Sequence, residues 1–290
     1  MTTQLDAIVT PELRELPITE AGVLRYREAG DGPPLVLLHG SGPGVTGWRN
    51  FRGNLDFFAQ RFRTIILEFP GYGVSDEFDD PHPMLSAQRA VPLFLDGLGL
   101  DRVSIIGNSM GGGVAIDFAM KQPDRVERLV TIGGIGGNVY SPFPGEGIKL
   151  LSEFTDNPTR DRLIAWLHSM VYDPALVTEE LIQERWVQAT DPETLASAQR
   201  MYGKTAIDRM VAAQRVSTDP PQWANMRSIQ APTLVTWGRD DRVSPLDMSI
   251  IPMRLLPRGE VHIFPDCGHW VMIEQKDAFE ATVMSFLTRP

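Results

Sequence analysis

Short apolar runs that end in glycine alternate along this chain with stretches of helical periodicity. The runs PLVLLHG (34–40), RTIILEFPGYG (63–73), DRVSIIGNSMGGG (101–113) and RLVTIGG (128–134) share one form. Each is a near-continuous hydrophobic segment stopped by a turn, the pattern of a strand buried on both faces. PTLVTWGRDD (232–241) and VHIFPDCGHW (261–270) add two more strands, and VLRYREAG (23–30) reads as an early one. The segment from Met110 to Lys121 has a helical pattern and is stopped by Pro123, while KDAFEATVMSFL (276–287) is a closing amphipathic helix. Strands alternating with helices predict an α/β architecture: a mostly parallel sheet flanked by crossover helices.

The middle of the chain departs from this alternation. Between about Tyr140 and Val216 no strand pattern occurs, and GIKLLSEF, RDRLIAWLHSMVYD, TEELIQERWVQAT and PETLASAQRMY all read as helices. Thr178, followed by Glu179 and Glu180, is a helix start, and Asp191 before Pro192 and Glu193 is another. An all-helical block inserted between sheet strands has the form of a cap over an active site. The expected division is a core of residues 1–139 and 217–290 with a cap of residues 140–216. The Pro-rich segments SPFPG (141–145) and STDPPQW (217–223) flank the block as hinges.

Composition narrows the class. With 290 residues, 42% hydrophobic and 22% charged, the chain can bury a sizeable core and resembles an ordinary globular protein. A net charge of −10 makes a general phosphate-backbone binder a poor candidate. It also means that an anionic substrate would need specific arginines or lysines to hold it. The single cysteine, Cys267, excludes an intrachain disulfide and a zinc cluster. The opening MTTQLDAIVTPELRELP lacks a basic stretch followed by an apolar run, and no segment approaches transmembrane length. A soluble, cytoplasmic protein is expected.

The chemistry centres on Gly107-Asn108-Ser109-Met110-Gly111. This is G-x-S-x-G between a strand and a helix, the context the motif requires. So abrupt a turn strains the backbone, and only small flanking residues allow the close approach. A serine hydroxyl is a weak nucleophile until a base takes its proton. Of five histidines, His269 follows the last predicted strand, where the base falls in the order Ser, Asp, His. His39 is assigned to shaping the loop after the first apolar strand, His82 to a proline-rich loop and His168 to the cap. By strand alternation, His262 points away from the site. A carboxylate must orient the base. Asp240 and Asp241 both end the strand LVTWG; position favours Asp241, but spacing leaves the two open, and Asp266 is held as a turn residue. The oxyanion needs two donors. The backbone N–H of Met110 is one, and the loop His39-Gly40-Ser41-Gly42-Pro43-Gly44 supplies the other, at Ser41.

These residues resemble the α/β-hydrolase superfamily, across nearly the whole chain. More narrowly they resemble the meta-cleavage-product hydrolases, which cleave C–C bonds after extradiol ring opening of aromatic compounds. The resemblance lies in HGSGPGVTGWRN (39–50), GNSMGGG (107–113), EGIKLL (146–151), LIQERW (181–186), WGRDDRVSPLD (237–247) and CGHW (267–270). It implies the α/β-hydrolase fold with a helical cap, a triad of Ser109, Asp241 and His269, and oxyanion donors at Ser41 and Met110. It implies that Arg185 holds the dienoate carboxylate and oxo-enol end, with Asn50 and Asn108 beside it, Gly40 and Gly42 contacting the substrate from their loop, and Trp270 packed beside the dienoate. An arginine on a helix is ordinarily solvated, so this role comes from the resemblance alone.

The implied reaction starts with enol-to-keto tautomerisation of a 2-hydroxy-6-oxo-hexa-2,4-dienoate, His269 carrying the proton. Ser109 then attacks the C6 carbonyl, the C5–C6 bond breaks, and water releases the acyl group, with no metal or organic cofactor. Trp166, Met170, Val171, Met210 and the Val243 region are candidates for the pocket of the C6 substituent. The alternative is a carboxylesterase or acyl hydrolase with the same triad, which has no need of a carboxylate clamp. A dead-triad binding protein is disfavoured because every triad position is filled. The resemblance also implies a homo-oligomer, a dimer or higher.

Overall fold

The computed structural model describes residues 10–19, 21–216 and 221–290. Of the expected linker 217–223, residues 217–220 lie outside the described residues, as do residues 1–9 of the opening stretch. The chain runs β1 (Arg14–Ile18), β2 (Gly22–Ala29), β3 (Pro34–Leu38), α1 (Gly47–Phe51), α2 (Leu55–Ala59), β4 (Arg63–Glu68), α3 (Pro83–Gly97), β5 (Val103–Asn108), α4 (Met110–Lys121) and β6 (Val126–Ile132). Five helices follow: α5 (Glu146–Asp156), α6 (Arg160–Met170), α7 (Glu179–Ala189), α8 (Pro192–Tyr202) and α9 (Lys204–Val216). The chain then returns through β7 (Thr233–Gly238), α10 (Ile250–Leu255), β8 (Gly259–Phe264), α11 (Val271–Glu274) and α12 (Lys276–Leu287).

The strands form one eight-stranded sheet in the order β1-β2-β4-β3-β5-β6-β7-β8. β1 and β8 are the edges, β2 pairs antiparallel with both β1 and β4, and every pairing from β4 to β8 is parallel. The apolar runs are continuous because both faces are covered. On β3, Val36 and Leu38 pack into the core on one face while Leu35 and Leu37 pack into the core on the other. β5 repeats this, with Ile105 on the first face and Ile106 on the second. β3 is the point where strand order reverses, with β4 on one side and β5 on the other. The loops leaving β3 and β5 therefore open a crevice at their carboxyl ends, where α/β sheets bind ligands.

Besides the short helices α1, α2, α10 and α11, three elements escaped the sequence pattern. β1 is a partly exposed edge strand whose charged residues hide its period. α3 carries Pro92 in its interior, which reads as a breaker. His82, expected in a loop, is instead the N-cap of α3, its Nδ1 accepting from Met84 N–H at 3.2 Å. α9 is a separate helix after Gly203, beyond the expected end at Tyr202. Both predicted helix starts hold: the Thr178 hydroxyl accepts from Leu181 N–H at 3.2 Å, and Asp191 accepts from Glu193 and Thr194 N–H at 3.1 and 2.9 Å.

The core-to-helix connection is anchored by one carboxylate. Asp247 Oδ2 accepts the backbone N–H groups of Val139, Tyr140 and Ser141 at 2.7, 2.8 and 3.1 Å, and Oδ1 accepts the Ser141 hydroxyl at 2.6 Å. Burial opposes its ionisation, but these four donors outweigh burial and hold the group well below the usual carboxylate range. Asp247→Ala is expected to cost about 1–2 kcal/mol in urea-monitored unfolding while leaving the far-UV spectrum unchanged.

Candidate active site

β5 runs directly into α4 through Ser109, whose φ of 51° and ψ of −113° lie outside the regions non-glycine residues prefer. The turn is held from both sides. Ser109 N–H donates to Ile132 O at 2.8 Å, and Ser109 O accepts from Gly113 N–H at 3.0 Å. A Cβ on Gly111 would lie 2.2 Å from Leu38 O, and one on Gly134 only 2.4 Å from Ser109 Cα. Gly134 also has φ +69°. Three strands' loops thus converge on the serine with no room for a side chain between them. Ser109 itself is part-exposed and, together with His269, lines a cavity of about 180 Å³.

His269 Nδ1 meets Asp241 Oδ2 at 2.7 Å, and both side chains are buried. Asp241 Oδ1 accepts the N–H groups of Val243 and Ser244, each at 2.8 Å. A carboxylate so fixed can only accept from the ring, so Nδ1 carries the proton and Nε2 is left free to take one. Asp240 faces elsewhere. It pairs with Arg239 at 3.2 Å and accepts Cys267 N–H at 3.4 Å. Asp266 is an exposed turn residue with φ 50°, paired with Arg239 at 2.8 Å. His262 is exposed, as strand alternation expects.

The His269 loop is anchored by groups the sequence reading missed. His269 N–H donates to Met170 O, at the end of α6, at 2.7 Å. The Glu274 carboxylate accepts Gly268 N–H at 2.8 Å and Tyr172 N–H at 2.6 Å, bridging that loop to the helical block. Glu274 lies five residues beyond His269, on the face of a short helix that turns back toward it; an acidic residue after an apolar run carries no signal of that contact.

The loop after β3 is shaped by His39, which is fully buried. Its Nδ1 donates to Gly40 O at 2.6 Å, and its Nε2 accepts Phe69 N–H at 3.0 Å. Burial, reinforced by the Arg185 cation, pushes its pKa down to about 4. Asn50 Oδ1 accepts Gly40 N–H at 2.8 Å, and a Cβ on Gly40 would lie 2.8 Å from Asn108 Oδ1 and 3.4 Å from Ser109 Cβ. The backbone at Gly40 is thereby pressed against Asn108 and Ser109. Met110 is the first residue of α4, so its N–H has no helical acceptor. Tyr202, reaching in from α8, hydrogen-bonds the Ser41 hydroxyl, a contact between the helical block and the loop after β3 that the sequence does not signal.

Arg185 is buried to 2% exposure, and neither its Nε nor its Nη1 has a hydrogen-bond partner among the described residues. The amide nitrogen of Asn50, also buried, is likewise unpartnered. The neighbouring Glu184 carboxylate is taken by Arg49 at 2.6 Å. The Arg185 guanidinium lies 5.4 Å over the Trp270 ring. Burial, with Arg49 nearby, presses its pKa down to about 9, the mark of a cation lacking a counter-charge. Asn50, Arg185 and Trp270 border a second cavity of about 340 Å³, flanked by Arg49, Arg52 and Lys276. Asn108 is buried and spends its amide nitrogen on Ile132 O at 3.3 Å, so it positions the serine turn more than it faces a ligand. Gly42, with φ +115°, packs on the Trp166 ring, where a Cβ would lie 2.9 Å from Cζ2. Of the expected pocket residues, Trp166, Met170 and Val243 line the serine's cavity. Val171 is buried without lining that cavity, and Met210 is 40% exposed beside a separate groove on the outer face of α9. The helical pattern that suggested Met210 does not reveal which face of the helix turns inward.

A strained serine between strand and helix, a buried His–Asp pair and free backbone donors define a hydrolase of the α/β class. A family model described as the alpha/beta hydrolase family matches residues 35–282, and the chain belongs to that family. It is 36% identical to the 2-hydroxy-6-oxo-6-phenylhexa-2,4-dienoate hydrolase of Burkholderia cepacia, covering 93% of this chain and 94% of that one. It is 39% identical to the 2-hydroxy-6-oxononadienedioate/2-hydroxy-6-oxononatrienedioate hydrolase of Burkholderia vietnamiensis, over 92% and 91% of the two chains. Among solved structures it is similar to a 2-hydroxy-6-oxo-6-phenylhexa-2,4-dienoate hydrolase from a Rhodococcus strain, with a TM-score of 0.84, 26% identity and coverage of 97% and 100%. A variant of a meta-cleavage product hydrolase gives a TM-score of 0.83 at 28% identity, covering 94% of this chain and 97% of that one.

Two outcomes follow from this geometry. Asp241→Asn should lower kcat on the order of 10³-fold or more, because the ring loses its tautomer control, whereas Asp240→Asn should change it less than threefold. His39 is neutral when folded, and its pKa lies below the unfolded value of about 6.5. Its contribution to stability is therefore complete above pH 6.5 and is lost as pH falls toward 4. Up to about 3 kcal/mol disappears across that window. Thermal unfolding of His39→Gln between pH 4 and 6.5 should show a shallower dependence than the parent.

Proposed function

We propose that this chain is a serine-dependent C–C bond hydrolase of 2-hydroxy-6-oxo-hexa-2,4-dienoate-type ring-cleavage products. The observation that carries the reading is the buried Arg185 side chain, whose Nε and Nη1 lack partners beside the unpartnered amide of Asn50. An unpaired buried cation costs several kcal/mol unless something completes it. Arginine and the amide nitrogen offer donors alone, so the missing partner is an acceptor, and a planar carboxylate with an adjacent enol oxygen suits the guanidinium fork. An esterase acting on a neutral acyl group has no use for that arrangement.

In this reading Ser109, Asp241 and His269 form the triad, the backbone N–H groups of Ser41 and Met110 hold the oxyanion, and Arg185 and Asn50 take the acid end with Trp270 beside the dienoate. His269 first takes the 2-hydroxyl proton and returns it at C5, giving the keto tautomer. Nε2 of His269 then receives the Ser109 proton as the oxygen attacks C6. The C5–C6 bond breaks, its electron pair passes through the C3–C4 double bond to the C2 ketone oxygen, and the imidazolium protonates that oxygen. Water, activated by the same base, hydrolyses the acyl-serine to a carboxylic acid and 2-hydroxypenta-2,4-dienoate.

The division into a core of residues 1–139 and 217–290 and a cap of residues 140–216 belongs to the same proposal, since the helical block contributes Arg185 and the wall residue Trp166. A cytoplasmic homo-oligomer is proposed with it. The first part rests on the free thiol of the buried Cys267 and the second on the family resemblance; among the described residues no helix is long and apolar enough to cross a membrane. Light scattering reads the second.

The test uses Arg185→Met. Turnover of the coloured dienoate should fall on the order of 100-fold in kcat/KM, while the melting temperature of the ligand-free protein rises, because an uncompensated charge has been replaced by an apolar side chain of similar length. A structural arginine would give the opposite shift in stability. Ser109→Ala should fold normally and lose turnover. Undiminished dienoate turnover in Arg185→Met, or activity confined to p-nitrophenyl esters in the parent, would sink the reading.

A further inference from the structure

The cavity shared by Ser109 and His269 differs in chemistry from the one beside Arg185. Its walls are Met84 and Val243 from the core side, Phe143 from the segment leading into α5, and Ile148, Met170 and Met201 from the helical block. Among the described residues, no lysine, arginine, aspartate or glutamate lines it. Apart from Ser109 and His269, its polar side chains are neutral, and most are already engaged. The hydroxyls of Ser41 and Tyr202 bond each other, and the Asn138 amide donates to Ser141 Oγ at 2.9 Å and Pro142 O at 3.1 Å. The cations Arg49, Arg52, Arg185 and Lys276 all border the other cavity.

With the acid end of the substrate at Arg185, the substituent on the far side of the C6 carbonyl must occupy this apolar cavity. A carboxylate placed there would be stripped of water with neutral donors at best, inside a chain of net charge −10. Size sets a second limit. The volume is about 180 Å³, and roughly 150 Å³ of apolar cavity is enough for a benzene ring. One ring beside the reacting carbonyl fills it. Methionine predominates in the wall, and its flexible thioether adapts to flat or branched apolar groups alike.

We propose that the substrate carries an uncharged, apolar C6 substituent no larger than a single ring, a phenyl or short alkyl group, and that dienoates ending in a second carboxylate are rejected. This deepens the function proposed above and rests on it. Overall similarity does not make the distinction, because relatives named for the phenyl substrate and relatives named for the dioate match at 36% and 39% identity.

The experiment compares kcat/KM of the full-length protein for three coloured dienoates: the 6-phenyl and 6-methyl compounds and the 2-hydroxy-6-oxononadienedioate. The better apolar substrate should exceed the dioate by at least 100-fold, mainly through KM. A dioate within threefold of the better apolar substrate overturns the inference while leaving dienoate hydrolysis intact. Failure to turn over any of the three overturns both. Ile148→Arg, at a part-exposed lining position on α5, should raise the dioate-to-phenyl ratio at least tenfold. Val243→Lys repeats the measurement from the core side should the first variant fold poorly. An unchanged ratio in a folded variant would put the substituent elsewhere and overturn the assignment.

Discussion

The backbone turn at Ser109 is the constraint around which the rest is arranged. A serine at φ 51° is unfavourable by itself and persists only because its surroundings leave it no alternative. Those surroundings are backbone. Gly111 abuts Leu38 O at the end of β3, and Gly134 abuts the Cα of Ser109 from the loop after β6. β5 therefore has to lie between β3 and β6, as it does in the sheet. The position of Ser109 and the order of the central strands are one fact seen at two scales. The same crowding brings Gly133, with φ +57°, within 3.3 Å of Asp241 Oδ2 and 3.5 Å of the His269 ring, measured from where its Cβ would be. Glycine at these positions fixes the spacing between Ser109 and the His269 ring without any side chain intervening.

Electrostatics works against this compact arrangement. The chain as a whole is acidic, with net charge −10, yet its deepest cation is Arg185, surrounded by Arg49 and Arg52 and supported by one carboxylate already bound to Arg49. A fold optimised for stability alone would not bury an arginine with two unpartnered nitrogens. In the function proposed above, the substrate carboxylate would offset that cost, and the repulsion an acidic chain exerts on an anion would make such a local cation more necessary.

Much of this was legible in the sequence, and the limits follow from what each pattern encodes. Parallel strands show themselves because both faces are buried; β3, β5 and β7 are visible as uninterrupted apolar runs. The serine turn is visible because sterics demand glycine at 107 and 111. Spacing left Asp240 and Asp241 equivalent, since adjacent residues in a loop differ only in direction, and direction is set by Val243 and Ser244 donating to one of them and Arg239 pairing with the other. The edge strand β1 and the proline-bearing α3 lacked the expected period. Tyr202 and Glu274 were illegible for a different reason: their partners Ser41 and Tyr172 lie 161 and 102 residues away, and nothing local encodes such contacts. Met210 carried the right residue type on the wrong helix face.

Those long-range contacts bear on how the helical block moves. The His269 loop is laid along the end of α6 through His269 N–H to Met170 O, and Glu274 bridges Gly268 to Tyr172. A Cβ on Gly268 would lie 2.7 Å from Met170 O, so the two segments are in backbone contact. α7 is tied to α1 through Arg49 and Glu184, and α8 to the β3 loop through Tyr202 and Ser41. Swinging the whole block away would break all three ties together and shift the backbone of His269 itself. Rearranging individual side chains at the cavity wall breaks none of them. The helical block is therefore held against the loops of the sheet at α6, α7 and α8, with α6 in backbone contact with the His269 loop and, through Trp166 and Met170, walling the cavity beside Ser109.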